Sequence, residues 1–165
     1  MRVIDELVAN AARYAECYEC PGAPSEPRLK LAIVTCMDAR FDVWSVLGLR
    51  HGDAHVIRNA GGVVTADTRR SLAISQRLLE TTEIMIIHHT DCGATKITED
   101  EFREAVFRDT GIRPDWAAEA FPKDPNGDVV QSIARIRADE LIPQRQRVYG
   151  FVWDVETGEL RRVKA

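Results

Sequence analysis

Two short segments of the chain carry side chains that could bind a metal together. Residues 36–40 (Cys-Met-Asp-Ala-Arg) and 89–93 (His-Thr-Asp-Cys-Gly) each follow a run of β-branched apolar residues. Such a run, ending in polar residues, is typical of a buried strand whose carboxyl end opens into a loop, where open parallel sheets bind ligands. If the two strands are neighbours, Cys36, His89 and Cys92 converge. Two thiolates and an imidazole would then form a zinc site with an open fourth position, the arrangement of a catalytic zinc.

Asp38 and Arg40 lie beside the first predicted ligand and can form a charged pair. Two thiolates cancel the formal charge of Zn²⁺, so water bound there is less acidic than at a three-histidine site, and help from neighbouring groups is valuable. Asp38 could accept a hydrogen bond from zinc-bound hydroxide, while Arg40 keeps Asp38 ionised and oriented. A loop-stabilising ion pair, or a helix cap in the case of Asp38, explains the spacing equally well.

Two other kinds of site are excluded by spacing. Residues 59–62 (Asn-Ala-Gly-Gly) form a tight turn where backbone can approach a ligand closely. The segment 58–62 lacks the glycine spacing of a dinucleotide-binding loop. Arg40 follows Cys36 by only four positions, which is too close for a phosphatase loop.

Cys17 and Cys20 form an isolated C-x-x-C pair. A structural zinc site needs a second pair of ligands, and a redox pair is expected at the start of a helix rather than at its end. We interpret these residues as two thiols at a helix terminus.

The hydrophobic pattern predicts an α/β fold with a mainly parallel sheet flanked by helices, an N-terminal helix and a C-terminal antiparallel hairpin strand. Asp91 is expected to cap a short turn over 92–96. Residues 111–125 are either a lid or an irregular packing segment. The predicted strands cover 31–35, 54–58, 83–88, 147–154 and 160–163, and the predicted helices 2–17, 42–47, 65–80, 99–109 and 128–141.

Length and composition favour one domain, residues 1–165, in which 1–27 form a helical arm and linker. The net charge of -4 argues against a sequence-independent nucleic-acid binder, which needs a basic surface. No apolar run is long enough to span a membrane, and residues 1–6 do not begin a signal peptide. We therefore expect a cytoplasmic protein whose four cysteines are thiols.

Taken together, these segments resemble the β-class carbonic anhydrases. Residues 36–40 are similar to the family's Cys-x-Asp-x-Arg motif, and 89–93 to its His-x-x-Cys-Gly motif. Residues 52–61 and 154–160 also resemble family segments, so the similarity covers nearly the whole chain in the family's order. The short length is most similar to the small, archaeal-type branch.

The resemblance implies one Zn²⁺ per chain, bound by Cys36, His89 and Cys92, with Asp38 and Arg40 as the catalytic pair. It implies the reversible hydration of CO₂ to bicarbonate and a proton by attack of zinc hydroxide. In some members the aspartate fills the fourth position, and Asp38 could do so here. A homodimer or tetramer is expected, with the site near the dimer seam. The turn expected to line the CO₂ pocket comprises Asn59, Ala60, Gly61 and Gly62.

Some positions depart from the family pattern. His88 stands where many members have glycine; strand alternation sends it to the face opposite His89, so we expect a packed or hydrogen-bonded histidine rather than a proton shuttle. Ile33 replaces the tryptophan of members inhibited by bicarbonate, so that regulatory site is not expected. Two alternatives stay open: a hydrolase of CS₂ or COS on the same scaffold, and a zinc-binding regulatory protein without turnover.

Overall fold

The structure, a computed structural model, describes residues 2–119 and 123–165. Short 3₁₀ turns cover Ala60–Gly62 and Gly93–Lys96. The helices are α1 (Val3–Glu16), α2 (Val43–Leu47), α3 (Ala66–Arg77), α4 (Glu99–Thr110) and α5 (Pro125–Ala138). The strands are β1 (Leu31–Cys36), β2 (Ala54–Asn59), β3 (Glu83–His89), β4 (Val148–Trp153) and β5 (Leu160–Val163).

The five strands form one sheet in the order β2-β1-β3-β4-β5. The first four strands run parallel, and β5 pairs antiparallel with β4 as the second strand of a hairpin. The predicted α/β class, parallel sheet and terminal hairpin are therefore confirmed. Because β1 and β3 are central neighbours, their carboxyl ends lie side by side at one edge of the sheet.

Apolar side chains pack against both faces of the sheet. On one face, alternate residues of β1 and β3, such as Val34 and Ile86, pack with Leu72 of α3 and Ile133 of α5. On the other face, a cluster centred on Ile33, Ile87, Phe41, Val43 and Trp153 covers the sheet. Burying both faces explains why β1 and β3 have nearly continuous apolar sequences.

Helix ends differ from the sequence prediction where capping residues decide them. The helix predicted over 128–141 is observed at Pro125–Ala138, because the carboxylate of Asp124 accepts hydrogen bonds from the amides of Asn126 and Gly127. The helix predicted to reach residue 80 ends at Arg77, and Glu80 has a φ of +60°, which no right-handed helix allows.

The N-terminal arm lies apart from the two apolar clusters. None of the residues of α1 is buried, and its apolar side chains, including Val3, Ile4 and Leu7, are exposed. The Tyr14 hydroxyl lies 3.1 Å from Nε2 of His51, which joins the arm to the loop before β2.

No helix among residues 2–119 and 123–165 has both the length and the apolar character that crossing a bilayer requires. Of the stretch 111–125, whose role as a lid the sequence left open, residues 120–122 lie outside the described part of the chain.

Candidate metal centre

The structure brings the three predicted metal ligands together at the carboxyl ends of β1 and β3. One ligand atom from each of Cys36, His89 and Cys92 lies within 4.8 Å of the other two, and all three residues are buried. Cys36 and His89 are the last residues of their strands, and Cys92 follows in a tight turn. The parallel pairing of β1 with β3 thus brings the three predicted ligands together, as the sequence analysis expects of neighbouring strands.

The distances and the chemistry of this group fit a tetrahedral zinc ion. The Sγ atoms of Cys36 and Cys92 are 3.8 Å apart, and two sulfurs bound to one tetrahedral zinc at about 2.3 Å would be separated by about 3.8 Å. Nδ1 of His89 lies 2.8 Å from the carbonyl oxygen of Thr90, which orients the ring. Nε2 of His89 is buried and has no hydrogen-bond partner among the described residues, as expected of a nitrogen that binds a metal.

The three side chains shift one another's pKa values. The Cys92 thiol, 3.8 Å away, lowers the pKa of Cys36 to about 4, and the same contact raises the pKa of Cys92. Burial lowers the pKa of His89, but the nearby Cys36 and the hydrogen bond to the Thr90 carbonyl outweigh burial and raise it overall. The shifts therefore favour the ionised form of Cys36 and the protonated form of Cys92.

Asp38 lies at the rim of this group with Arg40 behind it. Oδ2 of Asp38 is 3.7 Å from Nε2 of His89. Arg40 donates from Nε to Oδ1 of Asp38 at 2.9 Å and from Nη2 to Oδ2 at 2.7 Å, a two-pronged pair. This guanidinium holds the pKa of the Asp38 carboxyl well below its usual range. Asp38 is therefore an ionised acceptor that faces the ligand nitrogen.

Asp91 does not cap the turn after β3, contrary to the sequence prediction. The 3₁₀ turn is preceded by Cys92, and no side chain caps it. The Asp91 carboxylate instead accepts from Nη1 of Arg40 at 3.0 Å and lies 3.2 Å from Nζ of Lys96. The Asp91 carboxylate pairs with these two cations instead of capping the turn, and the sequence around Asp91 does not reveal either contact.

Arg58, which sequence reasoning did not single out, braces the loop after β1. It donates from Nε to the carbonyl oxygen of Cys36 at 2.9 Å and from Nη2 to that of Asp38 at 2.7 Å. These contacts depend on the pairing of β2 with β1, so no local sequence pattern indicates them.

The turn after β2 divides into residues that face the site and residues that support it. Ala60 and Gly61 line a cavity of about 390 Å³ beside the ligand group. The other lining residues are Cys36, Met37, Asp38, Ala39, Cys92, Gly93 and Ala94. Asn59 instead bonds within the turn, to the amide and carbonyl of Val63. Gly62 packs against the backbone of Thr35 and Cys36.

His88 lies next to His89 in sequence, but its side chain contacts α5 instead of the two cysteines. Its Nδ1 is 2.8 Å from Oδ2 of Asp128 on α5, and both side chains are at least nine-tenths buried. This arrangement matches the packed, hydrogen-bonded histidine that strand alternation predicts.

Cys17 and Cys20, the C-x-x-C pair, are free thiols at the end of α1. Cys17 is the C-cap residue, and its thiol lies 3.4 Å from the carbonyl oxygen of Tyr14. This contact fits the interpretation of two thiols at a helix terminus.

Known carbonic anhydrases resemble this chain in both sequence and structure. Residues 31–122 match the family model described as carbonic anhydrase. The chain is 50% identical over 163 residues to "Beta-carbonic anhydrase 1" of Mycobacterium tuberculosis, covering 99% of both chains. The crystal structure of a carbonic anhydrase from Streptococcus mutans superposes with a TM-score of 0.91 at 41% identity, covering 99% of both chains. A "Carbon disulfide hydrolase" of Acidianus sp. is 33% identical, with 97% of this chain and 90% of the relative covered.

Proposed function

This chain belongs to the β-carbonic anhydrase family, and on that premise we propose that it catalyses the reversible hydration of CO₂ to bicarbonate and a proton. The observation that carries the proposal is the buried group of Cys36, His89 and Cys92 with the Asp38–Arg40 pair at its rim. Three protein ligands and a neighbouring ionised acceptor are what a catalytic zinc centre requires.

Cys36, His89 and Cys92 would hold the zinc ion. Bound there, Zn²⁺ would supply the Lewis acidity that makes water reactive towards CO₂ near neutral pH. The thiol of Cys92 must lose its proton to become a ligand, and its raised pKa means that this proton leaves when the metal binds. The Thr90 carbonyl fixes the ring of His89 so that Nε2 faces the two sulfurs.

Asp38 and Arg40 would orient the attacking water. Because Asp38 is ionised, it can only accept hydrogen bonds, and so it fixes the direction of one O–H bond of a water beside Nε2 of His89. A lone pair of that water is then left for CO₂. Arg40 keeps the carboxylate charged and immobile through its two-pronged contact. Asp38 could also turn towards the metal and fill the fourth position itself, at the expense of that contact.

The cavity beside the ligands suits a small apolar substrate. Its walls include Met37, Ala39, Ala60 and Ala94, together with the backbone of Gly61, which offer little hydrogen bonding to a linear, uncharged molecule. The same walls suit CS₂ and COS, and one relative carries the name carbon disulfide hydrolase. Hydrolysis of CS₂ or COS is therefore the second candidate activity.

Stopped-flow CO₂ hydration, with zinc content measured on the same sample, tests the proposal. We expect about one zinc per chain and turnover that rises from neutral to alkaline pH. CS₂ and COS hydrolysis is followed side by side. Full zinc occupancy with turnover of CS₂ alone would replace the proposal with the second candidate. Full occupancy with no turnover of any of these substrates would indicate a zinc-binding regulatory protein.

We also propose that residues 1–165 form one unit with an N-terminal arm, 1–27, and that it assembles as a homodimer or tetramer. The exposed apolar side chains of α1 support the assembly, since Val3 and Ile4 are 72% and 66% exposed in one chain. Light scattering coupled to size exclusion determines the oligomer number, and a monomer at micromolar concentration would refute the assembly.

A cytoplasmic location is proposed as well. Cys36 and Cys92 have to remain reduced to bind metal, and a reducing compartment keeps them so. Cell fractionation tests the location, and recovery outside the cytoplasmic fraction would contradict it.

A further inference from the structure

Arg40 contacts two aspartates that come from different loops. Its guanidinium donates from Nε and Nη2 to Asp38, in the loop after β1. It donates from Nη1 to Oδ2 of Asp91 and from Nη2 to the backbone oxygen of Asp91, both at 3.0 Å, in the loop after β3. Four of the five N–H donors of the guanidinium are therefore used. Arg40 is a bridge between the two loops that carry the metal ligands.

The backbone at Asp91 has a conformation that few residues adopt. Its φ is +48°, in the left-handed region that side chains with a Cβ usually avoid and that aspartate tolerates better than most. In this conformation the carboxylate and the backbone oxygen of one residue both face the same guanidinium. Strained conformations of this kind persist where the surrounding structure holds them, often beside functional sites.

The contact with Asp38 does not by itself connect Arg40 to the second ligand loop. Arg40 is about half exposed, and Asp38 and Arg40 are two residues apart in one loop, so their pair makes no connection to the loop after β3. Asp91 belongs to the other loop and is adjacent to the ligand Cys92. A contact from that side relates the position of Arg40, and through it the Asp38 carboxylate, to the metal ligands.

We propose that Asp91 is a positioning residue: by holding the Arg40 guanidinium from the second ligand loop, it keeps the Asp38 carboxylate directed at the metal centre. The inference rests on the proposed function for its effect on rate, but the contact itself can be tested without turnover. Ion pairs as exposed as this one contribute little to folding stability. Loss of the Asp91 carboxylate should therefore change the position of Arg40 and leave the melting temperature nearly unchanged.

The first test is kinetic. Asp91→Asn preserves the size of the side chain and its tolerance of positive φ but removes the charge. We expect kcat for CO₂ to fall about threefold to tenfold, with zinc content and KM unchanged. Glu80→Gln is the matched control, because Glu80 also has positive φ and an exposed ion pair, with Lys30, remote from the site. Its kcat should equal that of the wild type.

A double variant separates positioning from a general effect. If Asp91 acts through Arg40, then Asp91→Asn should cause no further loss of kcat in an Arg40→Ala background. The same fold-loss in both backgrounds would overturn the inference, as would a wild-type kcat in Asp91→Asn.

The second readout does not need an active enzyme. Amide-type ¹H–¹⁵N spectra report the Nε–H of Arg40, which is assigned by its disappearance in Arg40→Lys. We expect this proton to exchange with water at least about threefold faster in Asp91→Asn than in the wild type, and unchanged in Glu80→Gln. Equal exchange in the Asp91 variant and the wild type would refute the positioning role even if CO₂ turnover is fast. Faster exchange in a protein without CO₂ turnover would support the contact and refute only the proposed function.

Discussion

Thr35 and Ile87 are joined by a hydrogen bond in the interior of the sheet: the Thr35 hydroxyl donates to the carbonyl oxygen of Ile87 at 2.7 Å. The two residues are register partners on β1 and β3. Thr35 immediately precedes Cys36, and Ile87 lies two residues before His89. This bond therefore ties together the two strands that carry the candidate ligands, directly behind the candidate metal centre.

Replacing this hydroxyl should weaken both the fold and the site. We expect Thr35→Val to lower the free energy of unfolding by about 1 kcal/mol, because a fully buried hydrogen bond is lost at nearly constant volume. Urea unfolding of the metal-free protein measures it, and competition with a zinc chelator measures the accompanying loss of zinc affinity. Thr110→Val is the matched control, since its hydroxyl makes a 2.7 Å bond to Val106 at an exposed helix end. Equal zinc affinity in the two variants would contradict a role for Thr35 at the site.

Zinc retention and the rate of CO₂ hydration should depend on different residues. Cys92→Ser should sharply reduce zinc retention, because it removes one of the three candidate ligands. Asp38→Ala should retain zinc while kcat falls about 10²-fold or more, since its carboxylate lies beside the ligand group without being required to hold the metal. Zinc analysis after dialysis and stopped-flow kinetics make the comparison, with Cys20→Ser as the control for cysteine loss. Equal metal loss in the Cys92 and Asp38 variants would show that this division of roles is wrong.

Much of the site could be predicted because its residues stand at the ends of apolar runs. The runs before Cys36 and His89 identified the central strands, and the thiols and imidazole just past them indicated the ligand set. The family motifs agree with that set, and the roles of its members remain predictions. Contacts between segments distant in sequence were harder to foresee. Neither the Arg58 brace nor the Arg40–Asp91 contact has a local pattern, since each depends on which strands become neighbours. The start of α5, in contrast, has a local signal in its Asp124-Pro125 pair, an N-cap residue followed by proline in the first turn.

Gly62 should tolerate no side chain, for a reason that Gly48 does not share. Both glycines have positive φ, +69° and +64°. A Cβ at Gly62 would lie 2.8 Å from the backbone nitrogen of Cys36, whereas a Cβ at Gly48 meets nothing within 4 Å. We expect Gly48→Ala to lower the free energy of unfolding by about 1 kcal/mol because of its backbone conformation alone. Gly62→Ala should lower it by about 1–3 kcal/mol more, because the added methyl group overpacks the site.

Urea unfolding compares the two glycine variants, and zinc titration shows whether the displacement of Cys36 reaches the metal centre. Only the Gly62 variant should lose zinc affinity. Similar stability of the two variants would mean that the backbone moves aside without cost.

Acid stability should depend on Asp53, which anchors the linker to the start of β2. Its carboxylate accepts from Nε of Arg28 at 2.7 Å and from the amide of Arg50 at 2.9 Å. The Arg28 guanidinium holds the pKa of Asp53 below its ordinary value. The folded state therefore favours the ionised form, so this stabilisation is fully present above the unfolded pKa of about 3.9 and is lost as pH falls through the lower folded value.

Asp53→Asn should accordingly reduce stability at neutral pH, and its difference from the wild type should shrink below about pH 4. Thermal melts of the metal-free proteins between neutral and acid pH measure that difference. The control is Glu26→Gln, a partly buried carboxylate on the same linker whose hydrogen bond, from the Ser25 hydroxyl, is local. A pH-independent difference for the Asp53 variant would show that its effect arises from packing rather than from charge.

The second half of β3 consists of two doublets, Ile86-Ile87 followed by His88-His89. Doublets make a strand prone to pairing one residue out of register with its neighbours. After such a slip, two of these four positions would still hold the same residue type, one isoleucine and one histidine. At the boundary, however, the slip would push His88 into the apolar cluster around Ile33 and Phe41, away from Asp128. It would also offer Thr90 in place of the ligand His89. The residues that form the candidate centre and its surroundings therefore also fix the alignment of β3 during folding.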